Sequence, residues 1–139
     1  MRLYNKPTCM PWKQFIGTAG EVRVKKWLSK KGFQLININW NSSYGEIDII
    51  ASFFDQLHFI AVTTKNCTES GLPAEGVTRK KMLSCKQAAQ KYLERHPRWK
   101  KVIFDILAIE PAEEEAKEFI LITVDIIVIE IFKILGPRS

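Results

Sequence analysis

Two carboxylates interrupt an otherwise apolar run of the sequence. The run is 44–50 (YGEIDII), and its acids are Glu46 and Asp48. Because alternate side chains of a strand share a face, a strand here places both acids on one side, about 7 Å apart, with Ile47 and Ile49 on the other. Two like charges at the edge of a core call for a nearby cation. Either a basic side chain or Mg²⁺ would supply it, since Mg²⁺ is held by one or two carboxylates together with phosphate oxygens.

The flanking sequence predicts the elements that would position these acids. Apolar residues at helical spacing before Gly32 predict a helix, and β-rich runs between turn-forming segments predict strands. We predict an α/β fold: one domain over residues 1–139, a sandwich with a central, mostly antiparallel or mixed β-sheet flanked by helices. The predicted elements are a helix over 12–31, strands over 33–40, 44–50 and 57–65, a helix over 78–95, and strands over 101–109 and 119–129.

Several short motifs accompany the carboxylate run in a definite order. They are GTAGE at 17–21, LSKKG at 28–32, NW at 39–40, VT at 77–78 with Lys81, and FD at 104–105. Together with the Gly-Glu-Ile-Asp element, they closely resemble the YraN family of bacterial endonuclease-like proteins. The resemblance covers about residues 12–110, and the acidic connector and last strand in 111–139 match less well. It implies a restriction-endonuclease-like core, related to Holliday-junction resolvases, and a link to nucleic acid.

The resemblance also implies where catalytic groups would lie. PD-(D/E)xK nucleases use a helix Glu, a strand Asp and a Glu-x-Lys on the next strand, because acidic oxygens hold Mg²⁺ against the phosphate while the lysine helps to activate water. Glu21 matches the helix position and Asp48 the strand position. Ala61 and Thr63 replace the expected Glu and Lys. Because members of a catalytic unit fail together, ordinary nuclease turnover is not expected.

Two other residues could preserve some of this chemistry. Lys65 is predicted to share a strand face with Thr63, about 7 Å farther along, and is a candidate catalytic residue with Glu21 and Asp48. Glu46 is a candidate metal ligand beside Asp48, and with Glu21 these acids would hold Mg²⁺ weakly. The opposite interpretation is structural: Lys65 or a helix lysine neutralises Glu46 and Asp48.

Charge is unevenly distributed along the chain. Residues 1–101 carry 18 Lys and Arg against 7 Asp and Glu, whereas 102–139 carry 3 against 8, within a formal net charge of +6. A basic surface favours the phosphate backbone of nucleic acid, with DNA as the expected partner, although surplus lysine also keeps a small domain soluble. The predicted nucleic-acid-binding residues are Lys25, Lys26, Lys30, Lys65, Arg79, Lys80, Lys81 and Lys86.

Several other titratable residues have ordinary structural interpretations. Glu21 stands four residues before Lys25, a spacing that favours a helical salt bridge. His58 is predicted on the strand face away from position 61, and His96 lies beside the proline that ends the second helix. Asp105 is as suited to capping the adjacent turn as to any function.

The rest of the composition limits the class of protein. Cys9, Cys67 and Cys85 are odd in number and lack metal-ligand spacing, which favours a reducing compartment and a cytoplasmic protein. The N-terminus has no apolar signal core, and the apolar segment 119–135 is too charged for a membrane span. If the strand over 119–129 is an exposed edge, it would invite pairing with a partner or with a second copy as a homodimer.

Three functions remain open from the sequence. The first is a nuclease-fold protein that binds nucleic acid through its backbone and has a catalytically impaired metal site. The second is an active Mg²⁺-dependent DNA endonuclease with a rearranged site. The third is a non-enzymatic protein-interaction module. The rearranged site would consist of Glu21, Glu46, Asp48 and Lys65.

Overall fold

The structure is a computed structural model that describes residues 12–64, 75–109 and 119–128. Side chains are described for residues 20–63, 79–109 and 119–128. The elements are α1 (Trp12–Lys30), β1 (Gln34–Ser42), β2 (Gly45–Phe53), β3 (Gln56–Thr64), α2 (Glu75–Arg95), β4 (Lys101–Ile109) and β5 (Phe119–Val128). Each predicted helix and strand is present, with ends shifted by a few residues. The predicted loop over 66–76 falls outside the described residues, apart from its last two positions in α2.

The five strands form one mixed sheet in the order β1-β2-β3-β4-β5. Neighbouring strands are antiparallel except β3 and β4, which are parallel because α2 lies between them in the chain. This confirms the predicted class: a small α/β domain consistent with an endonuclease-like sandwich. No helix within the described ranges is long and apolar enough to cross a membrane.

The two helices pack on opposite faces of the sheet, which we call the α1 face and the α2 face. Val24 and Leu28 of α1 pack with Ile60 and Val62 of β3. The inner side of α2 packs in a second cluster that includes Phe59 and Ala61. Alternation along β3 therefore follows the prediction. The buried residues of α2 are Met82, Cys85, Ala88, Ala89 and Tyr92.

Alternation is broken in β2, and one prediction is wrong as a result. Ile47 packs on the α2 face, whereas Ile49 packs on the α1 face. Their partners on β1 are Trp40 and Ile38, and Asn39 between those two has a φ of 58°. That left-handed residue interrupts the regular pleat, so Ile47 and Ile49 do not share a face. The assumption that Glu46 and Asp48 point the same way loses its basis.

A close approach fixes the start of β2 beneath α2. A Cβ atom added to Gly45 would stand 2.2 Å from the backbone oxygen of Ser84, so only glycine fits this contact. The N–H of Glu46 donates to the hydroxyl of Ser84 at 3.2 Å. Lys81 lies one helical turn before Ser84. The carboxylate strand and the first half of α2 are thereby held together.

Candidate functional site

Asp48 lies where the backbone pairing of β2 with β3 ends. The last residues paired toward this end are Ile49 and Ile60. Beyond them, the Asp48 side chain takes over as acceptor: its Oδ2 receives the N–H of Val62 at 2.8 Å. Asp48 is only 7% exposed, so its charge requires compensation inside the protein.

Lys81 of α2 supplies that compensation. Its Nζ lies 3.0 Å from Asp48 Oδ2 and also donates to the backbone carbonyl of Val62. The Lys81 side chain is 32% exposed, against 9% for that of Asp48. The pair therefore stands at the rim of the core, with the lysine on its solvent side. This is the helix lysine of the structural interpretation, and sequence reasoning had assigned Lys81 only to nucleic acid.

The neighbouring positions of β3 contribute little chemistry. Ala61 and Thr63 are buried, at 4% and 7% exposure. A methyl group offers no ligand, and a threonine hydroxyl is neutral at physiological pH. The strand next to Asp48 therefore provides neither a second carboxylate nor a lysine.

The other two candidate carboxylates do not complete a metal site with this pair. Glu46 is exposed. Glu21 projects from α1, where it forms the predicted salt bridge to Lys25 at 3.5 Å and lines an open pocket against β1. Among the described residues, no three His, Cys, Asp or Glu side chains are grouped so that they could hold a metal ion. The structure thus does not bring Glu21, Glu46 and Asp48 together.

The described residues do not form the Mg²⁺ site that the family resemblance implies. One oxygen of Asp48 already accepts from an N–H and from an ammonium group, whereas Mg²⁺ demands near-ideal octahedral oxygen ligation. No catalytic step through a metal ion follows from this arrangement. Lys65 lies outside the described residues, so its catalytic role stays a prediction, as does weak Mg²⁺ binding.

The predicted nucleic-acid-binding residues differ in exposure. Those on α1 and the first two on α2 are exposed, whereas Lys81 and Lys86 are partly covered. Lys86 Nζ lies 2.8 Å from Asp125 Oδ2, and this hydrogen bond holds the pKa of Asp125 below its usual value. The exposed members are Lys25, Lys26, Lys30, Arg79 and Lys80.

A second buried acid lies on the α1 face. Asp105 is completely buried; its Oδ2 is 2.5 Å from His58 Nδ1, and its Oδ1 accepts the hydroxyl of Thr123 at 2.9 Å. His58 Nε2 lies 3.3 Å from Gln56 Oε1. Asp105 therefore links three strands instead of capping a turn. Sequence reasoning missed this network because the parallel register that joins His58 to Asp105 leaves no local pattern.

Cys85 lies on α2 beneath the Asp48–Lys81 pair. Burial raises the pKa of its thiol to about 12, and the negative charge of Asp48 adds to the shift. It is a free, buried cysteine, as the sequence predicted for a reduced thiol. Cys9 and Cys67 fall outside the described residues.

Comparison with known proteins gives consistent matches over this core. A family model described as uncharacterised protein family UPF0102 matches residues 20–109. A UPF0102 protein of Dictyoglomus thermophilum is 40% identical over 95 residues, which cover 68% of this chain and 80% of the relative. One of Rhodococcus opacus is 38% identical with the same coverage. One of Syntrophomonas wolfei is 33% identical over 103 residues, covering 73% of this chain and 90% of the relative.

Proposed function

We propose that this chain, which belongs to the uncharacterised UPF0102 family and thus to the endonuclease-like YraN group, binds the sugar–phosphate backbone of nucleic acid. In this proposal it has no ordinary nuclease turnover. The contact between Lys81 and Asp48 carries this proposal. An uncompensated carboxylate at a rim repels phosphate unless a metal ion intervenes. Here an internal lysine cancels that charge, so phosphate can approach without a bridging metal.

The surroundings of the pair supply the attraction. Arg79 and Lys80 immediately precede Lys81 on α2 and are exposed. The lysines of α1 add a second exposed basic surface on the other side of the sheet. Cations on helices bind phosphates largely irrespective of base sequence. The expected mode is therefore backbone recognition with a steep salt dependence.

Binding of labelled duplex, branched and single-stranded DNA, followed by fluorescence anisotropy in EDTA, tests the proposal. We expect binding without metal, with log K falling linearly with log salt concentration. The double variant Arg79→Ala/Lys80→Ala should reduce the magnitude of that negative slope by about two, because each lost phosphate contact removes roughly 0.9 from it. Lys91→Ala/Arg95→Ala, at the other end of the same helix, is the charge-matched control. Binding that requires Mg²⁺, or an equal loss in both double variants, would contradict the proposal.

The endonuclease alternative is tested with the same protein. Wild type and Asp48→Asn are incubated with branched and single-stranded DNA in Mg²⁺ or Mn²⁺. We expect no cleavage that depends on Asp48. Cleavage by the wild type that Asp48→Asn abolishes would establish a metal-dependent nuclease, with Glu21, Glu46 and Lys65 as its next candidates.

A second candidate function, pairing with another copy, is favoured by the exposure of the edge strand β5. Among the described strands its one paired neighbour is β4. Its ten residues contain no Lys, Arg or Pro to blunt an edge, and Asp125 is their single charged residue. We expect Ile122→Glu/Val124→Glu to convert a dimer to a monomer in light scattering, whereas Ile36→Glu on β1 leaves it unchanged. A wild type that is monomeric at high concentration would exclude this pairing. The exposed apolar residues of β5 are Ile120, Ile122, Val124, Ile126, Ile127 and Val128.

A further inference from the structure

Phe54 is displayed to solvent on a strained turn. Its side chain is 84% exposed, more than any other large apolar side chain within the described residues. Its φ of 59° places it in the left-handed region, which bulky residues rarely adopt and glycine adopts readily. A strained aromatic ring that leaves most of its surface open to solvent points to recognition.

The ring stands on a fixed aromatic base. Phe53 meets Phe54 edge to face, with ring centroids 4.6 Å apart, and packs in turn against Phe33 at 5.2 Å. A Cβ atom on Gly32 would come within 2.9 Å of the Phe53 ring, so the end of α1 closes against the turn. The Phe54 ring is thus held by packed neighbours while most of its surface stays open.

Cations border this turn on both sides. Lys30 and Lys31 are exposed at the end of α1, directly before Gly32. On the other side, Lys101 pairs with Gln56, the residue that opens β3 after the turn. Asp55 is the single acid of the turn itself. The remaining cations, which precede β4 and are exposed, are Arg98 and Lys100.

We propose that Phe54 is a stacking platform for an unpaired base of single-stranded nucleic acid, with the bordering cations on the adjacent phosphates. This rests on the proposed function, but it names a second site, at the opposite end of β2 from Asp48. Single-strand binders combine a basic surface with aromatic rings because every base has a π face. A membrane would instead require a broad apolar surface, and in the described part of this turn Phe54 is the single exposed apolar side chain.

Three substitutions at this position separate the ring from the strain. Phe54→Leu keeps the strain and the apolar character but removes the ring, Phe54→Trp keeps the ring, and Phe54→Gly removes both ring and strain. Binding is measured with an oligothymidylate of about twelve nucleotides in EDTA. We expect Phe54→Leu and Phe54→Gly to weaken this binding roughly tenfold or more and Phe54→Trp to preserve it. Duplex affinity should change less than about twofold in all three, because paired bases offer no free face. Phe54→Gly should also raise the melting temperature.

The outcomes distinguish this site from the proposed function. If Phe54→Leu binds the oligonucleotide as the wild type does while Arg79→Ala/Lys80→Ala is weakened, the stacking site is refuted and the backbone interface stands. If the wild type binds no nucleic acid, both are refuted. If Phe54→Leu instead loses binding to phosphatidylserine vesicles and keeps that to the oligonucleotide, the turn is a membrane contact and the stacking site is again refuted.

Discussion

Asp48 and Asp105 are the two buried acids among the described residues, and the sheet surrounds them differently. Asp48 lies at the rim on the side of α2, and the lysine that neutralises it is one-third exposed. Asp105 is fully enclosed, between a histidine whose side chain is 8% exposed and a threonine of the edge strand. The charged partner of Asp48 thus borders solvent, whereas the histidine that contacts Asp105 is buried.

The mobility of its partner limits what a buried carboxylate can do. Lys81, on a flexible four-carbon stem, can approach a phosphate on its solvent side while its charge still offsets that of Asp48. His58 is confined by rings of Phe33 and Phe53, so its ring cannot leave Asp105 without displacing them. We therefore expect function at Asp48 and structure at Asp105, although both belong to motifs of the family.

The largest effect is expected from Asp105→Ala. It leaves His58 and Thr123 without their acceptor inside the sheet, and breaking a buried pair typically costs about 3–5 kcal/mol. Urea denaturation should show this loss with an unchanged m-value. Thr123→Val, which removes one hydrogen bond to the Asp105 carboxylate, should cost about 1–2 kcal/mol. If Asp105→Ala costs less stability than Thr123→Val, the structural distinction between the two acids is removed.

A smaller loss is expected from Lys81→Met. Asp48 keeps the Val62 N–H and gains access to water, so we expect about 1–2 kcal/mol after allowance for solvent screening. Adding Asp48→Asn should recover part of this, which a double-mutant cycle measures as a coupling energy. If Lys81→Met were as destabilising as Asp105→Ala, the rim pair would be a structural pair too.

The pKa of the Cys85 thiol depends on the charges of both acids. Burial is the main cause of its raised pKa, Asp48 is the next, and Asp105 contributes least among the named charges. With Cys9 and Cys67 replaced by serine, thiolate absorbance should show a lower pKa in Asp48→Asn than in Asp105→Asn. Equal pKa values in the two variants would contradict this ranking.

The same thiol makes stability depend on pH. The pKa of the Cys85 thiol rises from an ordinary value of 9.0 to about 12 in the folded protein, so the unfolded chain loses its proton first as pH rises. The contribution of the protonated thiol to stability is complete below about pH 9 and declines toward pH 12, by up to roughly 1.4 kcal/mol per pH unit. Denaturation of wild type and Cys85→Ala at several alkaline pH values should show the decline in the wild type alone, after subtraction of the common background.

The smallest effect belongs to the pair between Lys86 and Asp125. The Lys86 hydrogen bond lowers the Asp125 pKa. The pair therefore stabilises the protein at pH values above the pKa of Asp125 in the unfolded chain, and this stabilisation is lost as pH falls through the lower pKa of the folded protein. Because both side chains are more than one-third exposed, Asp125→Asn should cost at most about 0.5 kcal/mol at neutral pH. The difference from wild type should vanish in strong acid.

Local patterns were sufficient to predict the elements of this fold. The apolar stripe of α2 appears in the sequence as Met82, Cys85 and Ala89, and the strands are separated by turn-forming residues. Features set by distant contacts were not predictable. Asparagine adopts a left-handed backbone more readily than most residues, but the sequence does not show that Asn39 does so and its neighbours Asn37 and Asn41 do not. The face change between Ile47 and Ile49 was therefore missed.

The candidate site divides in the same way. The family motif indicated Asp48, and the losses at Ala61 and Thr63 were evident from residue types alone. The neutralising partner was not, because the reach of Lys81 depends on how closely Gly45 lets α2 approach β2. A helix lysine cannot be assigned to one strand acid until the helix and strand are placed together.

The parallel pairing of β3 with β4 has a consequence for how the chain acquires its shape. Residues such as Leu57 and Val102 are direct neighbours in the sheet although they are far apart in sequence. Closing so long a segment is entropically slow, and contacts of this kind lower folding rates. During synthesis the edge of β3 that pairs with β4 must therefore stay unpaired until β4 has left the ribosome.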